Sequence, residues 1–366
     1  MKTFCDKAYI EMAYGLAEKA KGWTSPNPCV GAVIVKDGKI AGAGYHERPG
    51  LPHAEIIALN QAGSKARNAT AYFTLEPCTH WGKTPPCVDT VLRSGLKRIV
   101  VSSYDPNPLV YKKGIEKIKA AGIELSLGLL QEKNKKLNET YFKYITKKIP
   151  FVTVKAALSL DGKTATRTFD SQWISSQETR DYIHLLRGEY DSIATGINTI
   201  LKDDPRLTVR HPNWEGKAIT RIVLDSHLRF PLQAKLLSTL SEGKILIFTL
   251  NEAKSAKADA LRKQGAEIIP IPSDTGRIEL ETVLKQLGER GISSLLVEGG
   301  SALQTSFLDN KLVDKVILTI SPKLIGGQDA AVFYHGQGAD FIKDAHELKN
   351  ISVFQIGDDI LIEGYC

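Results

Sequence analysis

His53-Ala54-Glu55, Pro77-Cys78 and Thr84-Pro85-Pro86-Cys87 carry the reading on which the first half of this chain turns. One imidazole and two thiolates supply three protein ligands to Zn²⁺ and leave the fourth tetrahedral position to water. That is the arrangement of a catalytic rather than a structural zinc site. Glu55, two residues after the histidine, is the proton carrier in this reading. Metal-activated water, a carboxylate that is not a ligand and an H-x-E…P-C signature are the parts a zinc deaminase of nucleobase type requires. The spacing departs from the usual pattern, because eight residues separate Cys78 from Cys87 where two are common. A closed structural site would need a fourth ligand, and His80 is the nearby candidate.

The flanking residues say how such a site could assemble. Ala54, Ile57, Ala58 and Gln61 recur at helical intervals, which predicts a helix with His53 and Glu55 in its first turn, facing one concavity. The positive helix end would favour an ionised Glu55. Ala71 to Leu75 is a short apolar run, read as a buried strand that delivers Cys78. Thr84 is the expected N-cap of the next helix, with Pro85 at its first position. Cys87 then lies where a helix N-terminus lowers a thiol's pKa. The His80–Lys83 segment becomes an inserted loop over the metal. Cys29, after Pro26-Asn27-Pro28, reads as a core thiol.

With 366 residues, 42% of them hydrophobic, the chain can bury two ordinary cores. Five cysteines, an odd number without framework spacing, argue against a disulfide scaffold. Met1 to Lys21 is amphipathic rather than a signal segment, with Tyr9, Met12, Ala13, Leu16, Ala17 and Ala20 along one face. No apolar run approaches the length of a membrane span, so a soluble, reducing, cytoplasmic setting without membrane contact is expected. Charge is uneven: residues 1–147 hold 22 Lys+Arg against 13 Asp+Glu, and the remainder 26 against 28. A basic first half fits a phosphorylated substrate or nucleic acid. Lys133, Lys135 and Lys136 are more simply the wet face of a helix. Lys147-Lys148-Ile149-Pro150 follows that region, and the domain boundary is placed there, giving domains at 1–147 and 148–366.

The first domain reads as a helix, a hairpin (Val30–Val35, turn at Asp37-Gly38, Ile40–Gly44) and then alternating helix and strand, a mixed sheet flanked by helices. The second is α/β. Strands are expected at Phe151–Ala157, Ser192–Thr195, Arg221–Leu224, Ile245–Phe248, Ala266–Ile269 and Leu295–Val297, with a strand-rich tail. No G-x-G-x-x-G follows the first of these strands, so a standard dinucleotide-binding unit is unsupported. Glu298-Gly299-Gly300-Ser301 instead runs from strand into helix, where paired glycines let backbone N–H groups approach a phosphate. Such a turn also occurs without any ligand. Asp203-Asp204-Pro205-Arg206-Leu207 and Asp225-Ser226 are equally open to a purely structural reading.

Along almost its whole length the chain resembles the bifunctional riboflavin-biosynthesis deaminase–reductase family (RibD type). In the first half the resemblance lies in Pro26-Asn27-Pro28-Cys29-Val30-Gly31, Gly44-Tyr45-His46, Pro52-His53-Ala54-Glu55, Thr74-Leu75-Glu76-Pro77-Cys78, Gly82-Lys83-Thr84-Pro85-Pro86-Cys87 and Asp105-Pro106-Asn107-Pro108. In the second it lies in Lys155 to Lys163, Ser171-Gln172-Trp173-Ile174, Asp203-Asp204-Pro205 and Val297-Glu298-Gly299-Gly300. The family has the same long gap between its cysteines.

The resemblance implies a cytidine-deaminase-like domain followed by a dihydrofolate-reductase-like domain. The first would deaminate 2,5-diamino-6-(5-phosphoribosylamino)pyrimidin-4-one, and the second would reduce the ribosyl side chain of the product to ribityl with NADPH. By position, His53, Cys78 and Cys87 match zinc ligands, Glu55 the proton shuttle, and Asn27, His46 and Lys83 the contacts to the deaminase substrate. Ala157, Trp173, Thr199, Asp203, Ser226 and the stretch Gly300, Ser301, Ala302, Leu303, Gln304, Thr305 and Ser306 match NADPH contacts. Lys155, Ser171, Arg187, Leu207, Arg210 and Glu298 match contacts to the reductase substrate. Trp173 as a core aromatic and Arg187 as a helix-end charge are the plainer alternatives. Association through the reductase half is also implied. A tRNA or cytidine deaminase shares the zinc chemistry, but leaves the last two hundred residues unexplained. The chain also lacks an aromatic-rich basic stripe for unstacked bases, so nucleic acid is not an expected partner.

Overall fold

The computed structural model describes residues 2–82, 84–212, 214, 216–250 and 255–366. The chain divides into two compact units, Met1–Lys148 and Ile149–Cys366.

In the first unit the order is α1 (Lys2–Glu18), β1 (Gly31–Lys36), β2 (Lys39–Tyr45), α2 (Ala54–Ala62), β3 (Thr70–Phe73), α3 (Cys87–Arg93), β4 (Arg98–Val101), α4 (Lys113–Ala120), β5 (Glu124–Leu127), α5 (Gln131–Leu137) and α6 (Glu139–Lys147). The five strands form one sheet, ordered β2-β1-β3-β4-β5. β1 is antiparallel to β2 and β3, whereas β3, β4 and β5 run parallel. Period-two alternation gives the sheet two covered faces. Ala32 and Ile34 of β1 join Ala54, Ala58, Val88 and Ile115 in one cluster. Val33 and Val35 point the other way, to Ile10, Ala13 and Tyr14 of α1. The helices lie close because two strand positions lack side chains. A Cβ on Gly31 would stand 1.9 Å from Ala13 O, and one on Gly42 would stand 2.1 Å from Ala58 O.

Two expectations for this unit need correction. The buried face of α1 is Ile10, Ala13, Tyr14 and Ala17, at i, i+3, i+4 and i+7, while Met12 is 45% exposed. The helix that carries Cys87 begins at Cys87 itself, with Pro86 at the cap (φ −57°, ψ 128°). Thr84 and Pro85 each precede a proline, and the proline ring drives the residue before it out of the α region.

The second unit contains β6 (Phe151–Ser159), α7 (Gln177–Glu189), β7 (Ser192–Gly196), α8 (Ile197–Asp203), β8 (Thr220–Leu224), β9 (Ile245–Thr249), α9 (Ala256–Lys263), β10 (Glu267–Pro270), α10 (Leu280–Glu289), β11 (Ser294–Glu298), α11 (Ser301–Asp309), β12 (Lys315–Ser321), β13 (Lys349–Ile356) and β14 (Asp359–Tyr365). These strands make a nine-stranded sheet, ordered β10-β9-β8-β7-β11-β6-β12-β14-β13. The β10-to-β12 run is parallel and the last hairpin antiparallel. Both faces are packed: on β11, Leu295 and Val297 enter one core and Leu296 the other. β11 inserts between β7 and β6, which brings Glu298 into register beside Lys155. In such open sheets the carboxyl ends of the strands, near a change of strand order, are where ligand sites form.

Candidate metal centre and reductase cavity

α2 begins at Ala54, so His53 occupies its N-cap with extended backbone (φ −76°, ψ 162°) and Glu55 is the second helical residue. His53 Nδ1 lies 3.1 Å from Cys87 Sγ and 3.5 Å from Cys78 Sγ. The Cys87 N–H donates to Cys78 Sγ at 3.2 Å. The three candidate ligand atoms fall within 4.8 Å of one another. His53 Nε2 lies 3.2 Å from Thr84 Oγ1. With Nε2–H donating there, Nδ1 is left as the lone-pair atom turned to the sulfurs. Thr84 thus orients a ligand instead of capping a helix. One nitrogen and two sulfurs suit zinc with an open position, and among the described residues no fourth donor joins the group. His80 stays outside it. Its Nδ1 is buried without a partner and its ring lines the adjoining cavity.

The electrostatics reverse two expectations. Lowering of a thiol's pKa falls on Cys78, which accepts from the Cys87 thiol. Cys87 is pushed up, first by that bond and then by burial, a difference between the two thiols that holds only until a metal takes both as thiolates. Glu55 is 3% exposed and its Oε2 has no partner. Burial, with the Cys78 charge adding to it, pushes its carboxyl up to about 7. Desolvation outweighs the helix end.

A cavity of about 580 Å³ opens over these groups and includes Asn27, His46, His53, Glu55, Cys78 and His80 in its wall. Burial, then the neighbouring His53, pushes the His46 ring's pKa down, so the ring is neutral. With Nδ1–H directed at Pro52 O (3.3 Å), Nε2 accepts from Asn27 Nδ2 at 3.1 Å. The Asn27 carbonyl oxygen remains the free end of that amide. Lys83 lies outside the described residues. Asp105, Asn107 and Tyr141 also line this cavity. Reading the sequence for ligands and bases passed over them, although Asp105 and Asn107 stand within a motif already noticed.

In the second unit a cavity of about 570 Å³ gathers Lys155, Ser171, Arg187, Arg210 and Glu298 with Ala157, Trp173, Asp203 and Gln304. Arg187 donates through Nε (2.9 Å) and Nη2 (2.5 Å) to Glu298 Oε2. Glu298 Oε1 is buried and unpartnered. Burial alone would raise the Glu298 carboxyl, but the charges of Arg187 and Lys155 outweigh it and hold it below the usual range. Burial pushes Lys155 down. Trp173 is 61% exposed, so its core alternative fails, and Arg187 is no mere helix-end charge.

The remaining residues separate. Ser226, Leu303 and Ser306 line another cavity, of about 1060 Å³. Thr199 Oγ1 accepts from the Gly300 N–H (3.2 Å), which ties the first turn of α11, Ser301 and Ala302 included, to α8. Gly299 is required there, since a Cβ would stand 2.4 Å from Thr195 Oγ1. Thr305 Oγ1 accepts from the His335 N–H, and Leu207 is buried in the core. His184 lines the 570 Å³ cavity and was missed, although it lies three residues before Arg187 on the same helix.

An open N/S/S donor set beside a carboxylate that does not bind the metal places the first unit among zinc-dependent deaminases. Residues 4–103 match the family described as the cytidine and deoxycytidylate deaminase zinc-binding region, and residues 150–362 match the RibD C-terminal domain. Riboflavin biosynthesis protein RibD of Aquifex aeolicus is 45% identical over 98% of this chain and 97% of that protein. The Escherichia coli protein of the same name is 38% identical over 98% of each. Among solved structures, Acinetobacter baumannii RibD aligns with a TM-score of 0.88 at 33% identity, over 100% of this chain and 99% of that one. A diaminohydroxyphosphoribosylaminopyrimidine deaminase/5-amino-6-(5-phosphoribosylamino)uracil reductase from Thermotoga maritima aligns at 0.87 and 36%, with the same coverage. The chain belongs to the RibD family of riboflavin biosynthesis proteins, bifunctional enzymes in which a zinc deaminase unit precedes a reductase unit. The match runs through the second unit, which the tRNA or cytidine deaminase alternative leaves without a purpose.

Proposed function

We propose that this chain performs two successive steps: deamination of 2,5-diamino-6-(5-phosphoribosylamino)pyrimidin-4-one, then reduction of the ribosyl side chain of the product to ribityl. The observation that carries the first step is the convergence of His53, Cys78 and Cys87 beside a buried, unpartnered Glu55 oxygen. Zinc held by those three residues supplies Lewis-acid activation of water near neutral pH. Glu55 takes the proton of the attacking water and gives it to the ring nitrogen, then carries the second proton, from the hydroxyl so formed, to the departing amine, which leaves as ammonia as the carbonyl forms. A carboxyl that burial lifts above its ordinary range suits both accepting and giving a proton. The neutral His46 holds Asn27 so that its carbonyl oxygen can accept from the pyrimidine, and Lys83 meets the same substrate.

For the second step, bound NADPH supplies hydride. Lys155 and Arg210 hold the phosphate, and Arg187, locked on Glu298, keeps that carboxylate charged at the cavity wall. Ser171 and Leu207 complete the substrate side. Ala157, Trp173, Thr199, Asp203, Ser226 and the Gly300–Ser306 stretch serve the cofactor, with Asp203 orienting the nicotinamide or a proton donor. β13 supports association through this unit. It is the edge strand of the sheet, with Ile351 57% and Val353 61% exposed, and unpaired apolar edges invite pairing. A cytoplasmic setting, where thiols stay reduced, belongs to the same reading.

The test combines purified protein, zinc analysis and the diamino substrate with and without NADPH, followed by mass spectrometry. The deaminated ribosyl product is expected first, and its reduced form only when NADPH is present. Glu55→Gln is expected to keep zinc and lose deamination by about two orders of magnitude or more. Undiminished turnover with metal bound would reject its role. Equilibrium sedimentation of wild type and Val353→Lys tests the edge; indistinguishable masses would exclude it.

A further inference from the structure

His184 is an imidazole among the charged groups of the reductase cavity, and none of the roles above uses it. It stands one helical turn before Arg187 on α7 and faces the cavity with Arg187 and Arg210. The Arg210 backbone N–H donates to His184 Nδ1 at 3.2 Å, and Arg187 Nη1 lies 3.3 Å from the same nitrogen. Nε2 lies 3.5 Å from Arg210 Nη2. Nδ1 already accepts the Arg210 N–H, and a proton placed on it would cost that bond and meet the Arg187 guanidinium, which offers no acceptor. Nδ1 therefore keeps its lone pair, and the single ring proton sits on Nε2. Burial, then the charges of Arg187 and Arg210, brings the ring down to about 4. Arg187 is held at both ends, by Glu298 and by this ring. Arg210 lies between α8 and β8, outside any helix or strand, so no ladder of backbone bonds fixes where its charge points. The bond to Nδ1 supplies that anchor.

We propose that His184 is a positioning residue that, as a neutral acceptor, fixes the Arg210 backbone and the Arg187 guanidinium so that the two cations are set for a phosphorylated substrate. This rests on the reductase reading above. A cationic side chain at 184 would repel both arginines, and an apolar one would leave the Arg210 N–H without its acceptor. An amide oxygen at the height of Nδ1 would replace it.

The test compares His184→Asn, whose Oδ1 stands where Nδ1 does, with His184→Leu. Both are made in the full chain and assayed with the deaminated ribosylamino phosphate and NADPH. His184→Leu is expected to raise KM for that substrate about tenfold or more, with a smaller change in kcat, because the lost interaction holds substrate and transition state alike. His184→Asn is expected to restore most of the wild-type KM. Deaminase turnover and the NADPH dissociation constant of the same preparations report whether each unit is folded. A wild-type KM in His184→Leu overturns the proposal. So does equal damage in both variants accompanied by loss of NADPH binding, which would mark a merely structural residue. Absence of reductase turnover in the wild-type protein would instead strike the reading beneath it.

Discussion

Asp105 shows how burial and hydrogen bonding compete at a single residue. Its Oδ1 accepts from the Tyr141 hydroxyl and the Asn107 N–H, each at 2.8 Å, yet burial dominates and pushes the carboxyl up to about 6 from an ordinary 3.8. A folded pKa above the unfolded one means the native state binds more protons between those values. Stability therefore grows as pH falls through that window, and the carboxylate is a cost above it. Asp105→Asn keeps the accepting oxygen without the charge. It is expected to stabilise the first unit at pH 8 by at most ~3 kcal/mol, the gain shrinking as pH drops toward 3.8. Urea denaturation at both ends of the window measures this, and a destabilised variant at pH 8 would contradict it. The ordinary value of a residue type is legible in sequence. Its shift is not, because burial, the larger effect, and the opposing bond from Tyr141, 36 residues away, are both set by the fold.

At the scale of elements, Glu76 ties the segment after β4 to the segment carrying Cys78. Its carboxylate accepts from the backbone N–H groups of Asp105, Lys112, Gly114 and Ile115, the last three at the start of α4. An acid at a helix N-terminus satisfies N–H groups that have no partner within the helix. Glu76→Ala would leave these donors without acceptors, and each unmet buried group costs ~1–3 kcal/mol. A loss of on the order of 3 kcal/mol or more is expected, with deamination failing at lower urea than reduction. Coincident loss of both activities would argue against a local tether. The Thr84-Pro85-Pro86 correction belongs to this scale too. Capping preference and proline's own φ favoured an early helix start, and the restriction each proline places on its predecessor prevailed.

At the scale of the whole molecule, the two units should respond separately to metal. Among the described residues His53, Cys78 and Cys87 are the group that could hold an ion, and the second unit's cavity uses none of them. A chelator is expected to abolish ammonia release and leave NADPH oxidation intact when the deaminated substrate is supplied. Parallel loss of both would show that reduction needs the metal unit. Sequence by itself determined the elements. Apolar runs placed β6 to β11 to within a few residues, because these strands are buried on terms their own composition sets. The H-x-E…P-C…C order likewise declared which side chains could meet a metal. Tertiary structure alone decided what orients His53, how far burial lifts the Glu55 carboxyl, and that Glu298 is paired by Arg187 from a helix 111 residues away. Those outcomes depend on desolvation and on distances across the fold, and no local pattern of residues encodes either.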